Sequence, residues 1–345
     1  MALWAAVGSG GAIAGQLAGG VITDLFGWRW IFLINVPIGL VTIAVATRLL
    51  PESRDDDQRH HLDVAGGALL AATIAVTSLG LARVGEHGLD PIIGWHVAAS
   101  GVLLIAFAHH ERRHPDPLVR LGLLRLPGVS TGNSVLALLA GSTAGALFFS
   151  TLYLQVVLDY SPADVGFAFA PVTLIVLAVS PLAGRIVTAV GVRPPLMAGT
   201  TLCAIGFLYL AGVDPAGSYL VDVLPGLGLV ALGNGLAFAP TMIAATSGVA
   251  DHEQGVAAGM INTAQELGTA LGLAALAAIA ISSVTPADGD VLAAVDGYQV
   301  GFVAATALAV VALGCAWRAP RHLGRTAPTP DKTQPEPVPT PTPAP

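Results

Sequence analysis

Two groups of side chains in this sequence could do chemistry. The first is His110-Glu111-Arg112-Arg113-His114, an H-E-x-x-H string. On a helix it would set two imidazoles on one face for zinc with the glutamate as base, and Asp63 could be imagined as a distant third ligand. That is the chemistry of an intramembrane metalloprotease. Against it, Arg112 and Arg113 would crowd a divalent cation, and Pro115 ends any helix at once. The plainer reading is adopted: a solvated basic loop, no metal, no cofactor and no enzymatic role, with His60-His61 read the same way. The second group centres on Glu266, inside an apolar run at 256–282. A charge at bilayer depth costs ~2.5–3.5 kcal/mol or more, so a carboxyl placed there should face a cavity and suits reversible protonation. Asn262, one turn earlier, would extend a polar stripe toward that cavity. The alternative for Glu266 is packing, through a hydrogen bond to a neighbouring helix. Gln155 and Asn133 are further amides in apolar runs, where a single amide serves either a pathway or interhelical adhesion. Asp222, close to a helix start, is read as structural.

The elements that must position these groups follow from composition. Of 345 residues, 54% are apolar and 11% charged, with mean hydropathy +0.73, whereas an ordinary soluble domain is about 25% charged. A soluble globular fold is excluded, and the lipid bilayer is the expected partner. The only lysine, Lys332, cannot complete a G-x-x-x-x-G-K-[ST] loop, so no ATP engine is expected, nor a nucleic-acid partner. Cys203 and Cys315 lie far apart in apolar runs and read as buried thiols.

Ten apolar segments stand out, at about 1–23, 30–49, 64–83, 92–109, 131–155, 164–189, 194–213, 219–243, 256–282 and 299–317. Each run is continuous, which favours spanning helices over barrel strands, whose residues would alternate. The first has no basic leader and is not a cleavable signal. The Pro-rich stretch from Thr326 to Pro345 is expected to be an extended, disordered tail. Grouping the loops alternately puts thirteen of the fifteen cations on one side and only Arg29 and Arg83 on the other. The positive-inside rule makes the first side cytoplasmic, with both termini inside. Trp28, Trp30, Trp95, Tyr160, Tyr219 and Tyr298 then fall at outer helix ends, as an aromatic belt.

Within the first segment Gly11, Gly15 and Gly19 recur at four-residue spacing with Gly20 beside the last. They form a smooth stripe that a neighbouring backbone could approach closely. It runs into Asp24-Leu-Phe-Gly-Trp-Arg29-Trp-Ile-Phe-Leu-Ile-Asn-Val-Pro-Ile-Gly39. Together these segments resemble the fourteen-helix drug:proton antiporters of the major facilitator superfamily, the EmrB/QacA-type branch. That family carries a G-x-x-x-G-P-x-x-G-G antiporter motif on its fifth helix and a D-x-x-G-W-R-W-I-F-x-I-N-x-P-I-G turn into its sixth. The motif proline is Gln16 here, so the helix distortion attributed to that proline is not expected. The resemblance continues through Gly132-Asn133 to Gln155 and through Ser161-Pro-Ala-Asp-Val-Gly166. Gly184-Arg185 with Gly191-Val-Arg193 resembles the cytoplasmic motif A, its ion-pair latch weakened because Thr188 and Ala189 replace two charged positions. Gly255 to Gly268, with Asn262 and Glu266, resembles the penultimate helix.

The resemblance implies an all-α polytopic membrane protein of the major facilitator fold with about ten spans. By this reading residues 1–50 are the last two helices of the amino-terminal half. Residues 51–130 are cytoplasmic loops with two inserted linker helices, 131–317 a complete six-helix carboxy-terminal half, and 318–345 the tail. The first four helices of the family are expected to be lacking. The function implied is proton-coupled efflux of amphipathic or cationic small molecules across the inner membrane, by one half rocking against the other. The alternatives are a non-transporting fragment that needs further helices, and the metalloprotease.

Overall fold

Every one of the ten apolar runs becomes a helix. The computed structural model describes residues 2–49, 63–87, 91–114, 117–118, 122–250, 253–283 and 291–320; His60-His61, Asp90 and the tail from residue 321 onward lie outside them. In chain order the helices are α1 (Ala2–Phe26), α2 (Arg29–Leu33), α3 (Asn35–Leu49), α4 (Val64–His87), α5 (Pro91–Glu111), α6 (Pro127–Leu152), α7 (Pro162–Val190), α8 (Arg193–Leu210), α9 (Leu224–Ala245), α10 (Gln254–Ser282) and α11 (Val291–Trp317). Among the described residues seven helices are long and apolar enough to cross a bilayer, and Val64–Gly80 is a shorter apolar helix. The seven do not include α1 or α8, whose runs the sequence also assigns to spans. α11 begins at Val291 rather than near residue 299, so Asp296 is an exposed helical residue instead of a loop residue.

Local signals explain several boundaries. Ser161 caps α7: its side chain accepts from the Asp164 N–H at 3.2 Å, and the Asp164 carboxylate accepts from the Ser161 N–H at 3.1 Å. With Pro162 at the first helical position this is a reciprocal capping box. α7 ends at Gly191, whose φ of +88° is open to glycine and strained for other residues. Gly27 (φ +86°) makes the corresponding turn between α1 and α2. Asp222 accepts from the Ser218 N–H at 2.6 Å, the structural role expected for it.

Packing centres on α6 to α11. α8 lies along α9; α6 touches α9, α10 and α11; α7 packs on α9. Small residues set these distances. A Cβ at Gly199 would sit 2.6 Å from the Gly233 carbonyl oxygen, and one at Gly206 would sit 2.7 Å from that of Gly226, so α8 and α9 meet backbone to backbone. In lipid, helices associate by such close contact because burying apolar surface against neighbours gains little over burying it in hydrocarbon. The α4–α5 hairpin leans on this bundle through α4 against α10, and α1 leans on it through α7. α3 has no buried residue.

Tyr153, fully buried (0% exposed), starts a π-helical turn, Tyr153–Val157, that continues α6. Its hydroxyl donates to the Asp214 carbonyl at 2.6 Å, tying the end of α6 to the loop after α8. Tyr153→Phe should therefore cost about 1 kcal/mol, read as a fall of about 2–4 °C in the melting temperature of the detergent-solubilised chain.

Candidate functional site

Where α1 meets α7 the chain leaves an open cavity of about 500 Å³, within the range of small-molecule sites. Gly15, Gln16, Gly19, Gly20 and Thr23 of α1 line one wall; Pro162, Val165, Gly166 and Phe169 of α7 line the other; Gln155 and Ile31 close its edges. The glycine stripe therefore divides between two surroundings. Among the described residues Gly11, Gly15 and Gly19 have nothing within 4 Å of a would-be Cβ, so the close approach that their spacing allows is not made there. Close approach falls instead on the adjacent face: a Cβ at Gly20 would lie 2.6 Å from the Pro162 carbonyl oxygen, and one at Gly166 2.9 Å from that of Gln16.

Gln16, in the place of the motif proline, is the polar centre of this wall. The Thr173 hydroxyl is 2.6 Å from the Gln16 Oε1, to which it can donate, and 3.2 Å from the Phe169 carbonyl of its own helix. Gln16 keeps an N–H₂ group able to donate to a ligand. Thr173 was not distinguishable in the sequence, because a threonine in an apolar run usually bonds back to its own helix. A mainly apolar lining with two amides and a hydroxyl suits an amphipathic molecule.

The other candidate residues scatter. Glu266 and Asn262 do share a face of α10, but both are exposed and neither lines the α1–α7 cavity. The expectation of a buried carboxyl facing a cavity is thus not met within the described residues. A helix alone cannot bury a side chain, and nothing described packs over that face. Asn133 is buried; its amide donates to the Val129 carbonyl at 2.9 Å, while its Oδ1 is buried without a partner. Asn234, not singled out in the sequence, bridges α9 to the Thr143 hydroxyl of α6 at 3.1 Å. In the outer turn Asp24 and Arg29 are both exposed, and the Arg29 guanidinium lies 5.0 Å from the Trp28 ring centre.

In the motif A-like turn Gly184 borders open space, Arg185 is exposed and Gly191 supplies the left-handed residue. Arg193 stacks over Trp317, 4.5 Å from the ring centre, so a cation–π contact joins the α7–α8 turn to the end of α11.

The H-E-x-x-H string is not a solvated loop, which corrects that reading. Backbone bonds from the Arg112 N–H to Ala108 and from the His114 N–H to His110 carry the helical turn to the residue before Pro115. Glu111 (3% exposed) and Asp63 (6%) are buried. Asp63 precedes α4, and its Oδ1 accepts from the Gly66 N–H at 2.7 Å and lies 2.7 Å from the His110 Nε2. Burial would raise the Asp63 carboxyl, but the Gly66 amide, the His110 hydrogen bond and positive charge on His110 and His114 outweigh it and hold the group below its ordinary value.

These observations define a multi-pass helical membrane protein with a ligand-sized cavity between helices. The chain belongs to the major facilitator superfamily, whose family model matches residues 1–273. It is 34% identical to the puromycin resistance protein pur8 of Streptomyces alboniger over 89% of this chain and 62% of that protein. It is 36% identical to the cephamycin export protein CmcT of Amycolatopsis lactamdurans over 77% of this chain and 56% of that one. It is 29% identical to the multidrug resistance protein Stp of Mycobacterium tuberculosis over 80% and 51% respectively. The chain thus spans between half and two thirds of the length of these relatives.

Proposed function

We propose that this chain acts as a proton-coupled exporter of amphipathic or cationic small molecules in the inner membrane, working by alternating access. The observation that carries this reading is the cavity of about 500 Å³ between α1 and α7, with Gln16, Thr23 and Gln155 set in an apolar lining. Its geometry supplies apolar walls for an apolar body and amide groups for a polar end. Relatives named for antibiotic export or resistance support export of small molecules. No ATP is required: protonation of a membrane-embedded carboxyl biases the balance between outward- and inward-facing states through its differential stability in the two. On this reading Glu266, with Asn262 a turn away, supplies that carboxyl once a neighbouring helix covers the face that leaves both exposed here. The loops rich in arginine, with both termini, lie on the cytoplasmic side.

A second reading is favoured by one observation. The α10 face carrying Glu266 and Asn262 is exposed, and α3 buries no residue. On this reading the chain transports only when further helices cover those faces.

Both are tested by measuring dye or antibiotic efflux from cells expressing this chain alone, before and after a protonophore collapses the gradient. Efflux that stops with the gradient supports the exporter acting alone. Absent efflux, restored by co-expressing the four-helix amino-terminal segment of a relative, supports the second reading. In whichever form transports, Glu266→Gln should reduce gradient-driven efflux by about 5- to 150-fold, the range of a typical coupling free energy. Unchanged gradient dependence removes Glu266 from the mechanism.

A further inference from the structure

The α4–α5 hairpin closes on a cluster that the cavity does not use. Asp63, His110 and His114 each offer one ligand atom, and these atoms lie within 4.8 Å of one another. The two imidazoles stand one helical turn apart with ring centres 5.3 Å apart. Arg112, which argues against a cation in the sequence, lies two residues from each imidazole and off their helix face; Arg113, three residues after His110, shares that residue's face, and both guanidinium side chains are exposed.

A capping aspartate hydrogen-bonded to a histidine would account for half of this arrangement. The other half is the second carboxylate oxygen. The Asp63 side chain is 1% exposed, its Oδ1 is held by the Gly66 N–H and by His110, and its Oδ2 is buried without a partner. An unpartnered buried carboxylate oxygen is costly. The missing Cβ of Gly66 leaves it room, because any side chain there would collide with the carboxylate. A buried carboxylate with one oxygen on His110 and the other idle against Gly66, within reach of a second imidazole, is a half-assembled coordination sphere.

We propose that Asp63, His110 and His114 form a binding site for a divalent transition metal of the zinc type, which clips the start of α4 to the end of α5. Two imidazole nitrogens and one carboxylate oxygen suit zinc and its neighbours rather than calcium or magnesium, which take oxygen-rich shells. Four tetrahedral ligands at about 2.0–2.2 Å from zinc lie about 3.3–3.6 Å apart. The observed cluster reaches that spacing if the His114 ring swings inward and Oδ2 replaces Oδ1 as the oxygen facing the metal. Gly66 would keep its hydrogen bond to Oδ1 and so orient the ligand carboxylate. The His110 side chain is 29% exposed, which leaves a side open for a water as the fourth ligand and for metal entry. Since α4 leans on α10, the clip would hold the hairpin in place against the helix bundle. The site does not depend on the transport reading.

The test uses the full chain purified in detergent, stripped with a chelator and titrated separately with zinc and cobalt(II). One equivalent of zinc should bind, cobalt should show the intense visible bands of a four-coordinate ion, and zinc should raise the melting temperature by about 5 °C. His114→Ala and Asp63→Asn should each weaken zinc binding by at least about tenfold. Asparagine also caps helices, so Asp63→Asn keeps the start of α4. If that variant does not fold, the part-exposed His114 carries the test. Failure of the wild-type chain to take up a stoichiometric equivalent overturns the proposal. So does an equivalent that survives His114→Ala but is lost in a His60→Ala/His61→Ala variant. Zinc-dependent peptide cleavage abolished by Glu111→Gln would overturn the structural clip in favour of a catalytic centre.

Discussion

Gly268→Val will separate α10 from α6 and prevent the chain from accumulating as a monodisperse protein. A Cβ at Gly268 would collide with backbone atoms of Ala137, and one at Gly272 would clash with the Cα of Gly141. Conversely, a Cβ at Gly141 would lie 2.5 Å from the Gly268 carbonyl oxygen and 2.9 Å from the Gly272 Cα. These atoms are main chain on both sides, so no side-chain rotation relieves the overlap. Overpacking in a soluble core costs about 1–3 kcal/mol, and this contact should reach or exceed the top of that range. Bilayer lipid offers the separated helices an apolar environment as good as the one they lost, so nothing draws them back together. The comparison is Gly259→Val on the same helix, where a Cβ meets nothing within 4 Å. Size-exclusion profiles and thermal melts of the two variants should differ sharply; equal behaviour would show that the α6–α10 contact does not hold the bundle together.

Gly19→Leu and Gly20→Leu, one residue apart, will have opposite consequences. A Cβ at Gly19 enters open space, and Gly19 lines the α1–α7 cavity. Leucine there should leave the yield of folded chain unchanged or raised, since it is the better helix former by up to about 1 kcal/mol. Its side chain would occupy part of the cavity, and efflux should fall at least about tenfold for bulky substrates, the factor that accompanies loss of about 1.4 kcal/mol of binding. At Gly20 the added Cβ meets the Pro162 carbonyl oxygen, and its neighbour Ala163 as well, so α1 is pushed off α7 and the loss appears as unstable protein. Yield and efflux measured side by side separate the two effects. Efflux that survives Gly19→Leu unchanged would place the substrate route elsewhere.

The helices were legible because lipid imposes a simple demand. Each crossing must satisfy its own backbone hydrogen bonds and present apolar side chains all round, and that shows as a continuous run in one dimension. The start of α11 was not legible in this way, since Asp296 and Gly297 interrupt the run while the backbone continues as helix. The glycine stripe was visible as a spacing, but the spacing does not say which face meets a neighbour. Gln16 and Gly20, on the adjacent face, make the contact because α7 approaches from that side. Thr173 and Asn234 acquire partners on other helices for the same reason.

The sequence by itself determined that this is a polytopic helical membrane protein and where α7 is capped, because hydropathy and capping act over one helix length. Only the tertiary structure decided that Asp63 meets His110, 47 positions further along the chain, that Glu266 lies on an open face, and that Gly19 and Gly20 face different surroundings. Those outcomes depend on the rotation and pairing of helices. In a medium as apolar as the side chains themselves, rotation and pairing are set by the fit of small residues between backbones, which no pattern within a single segment records.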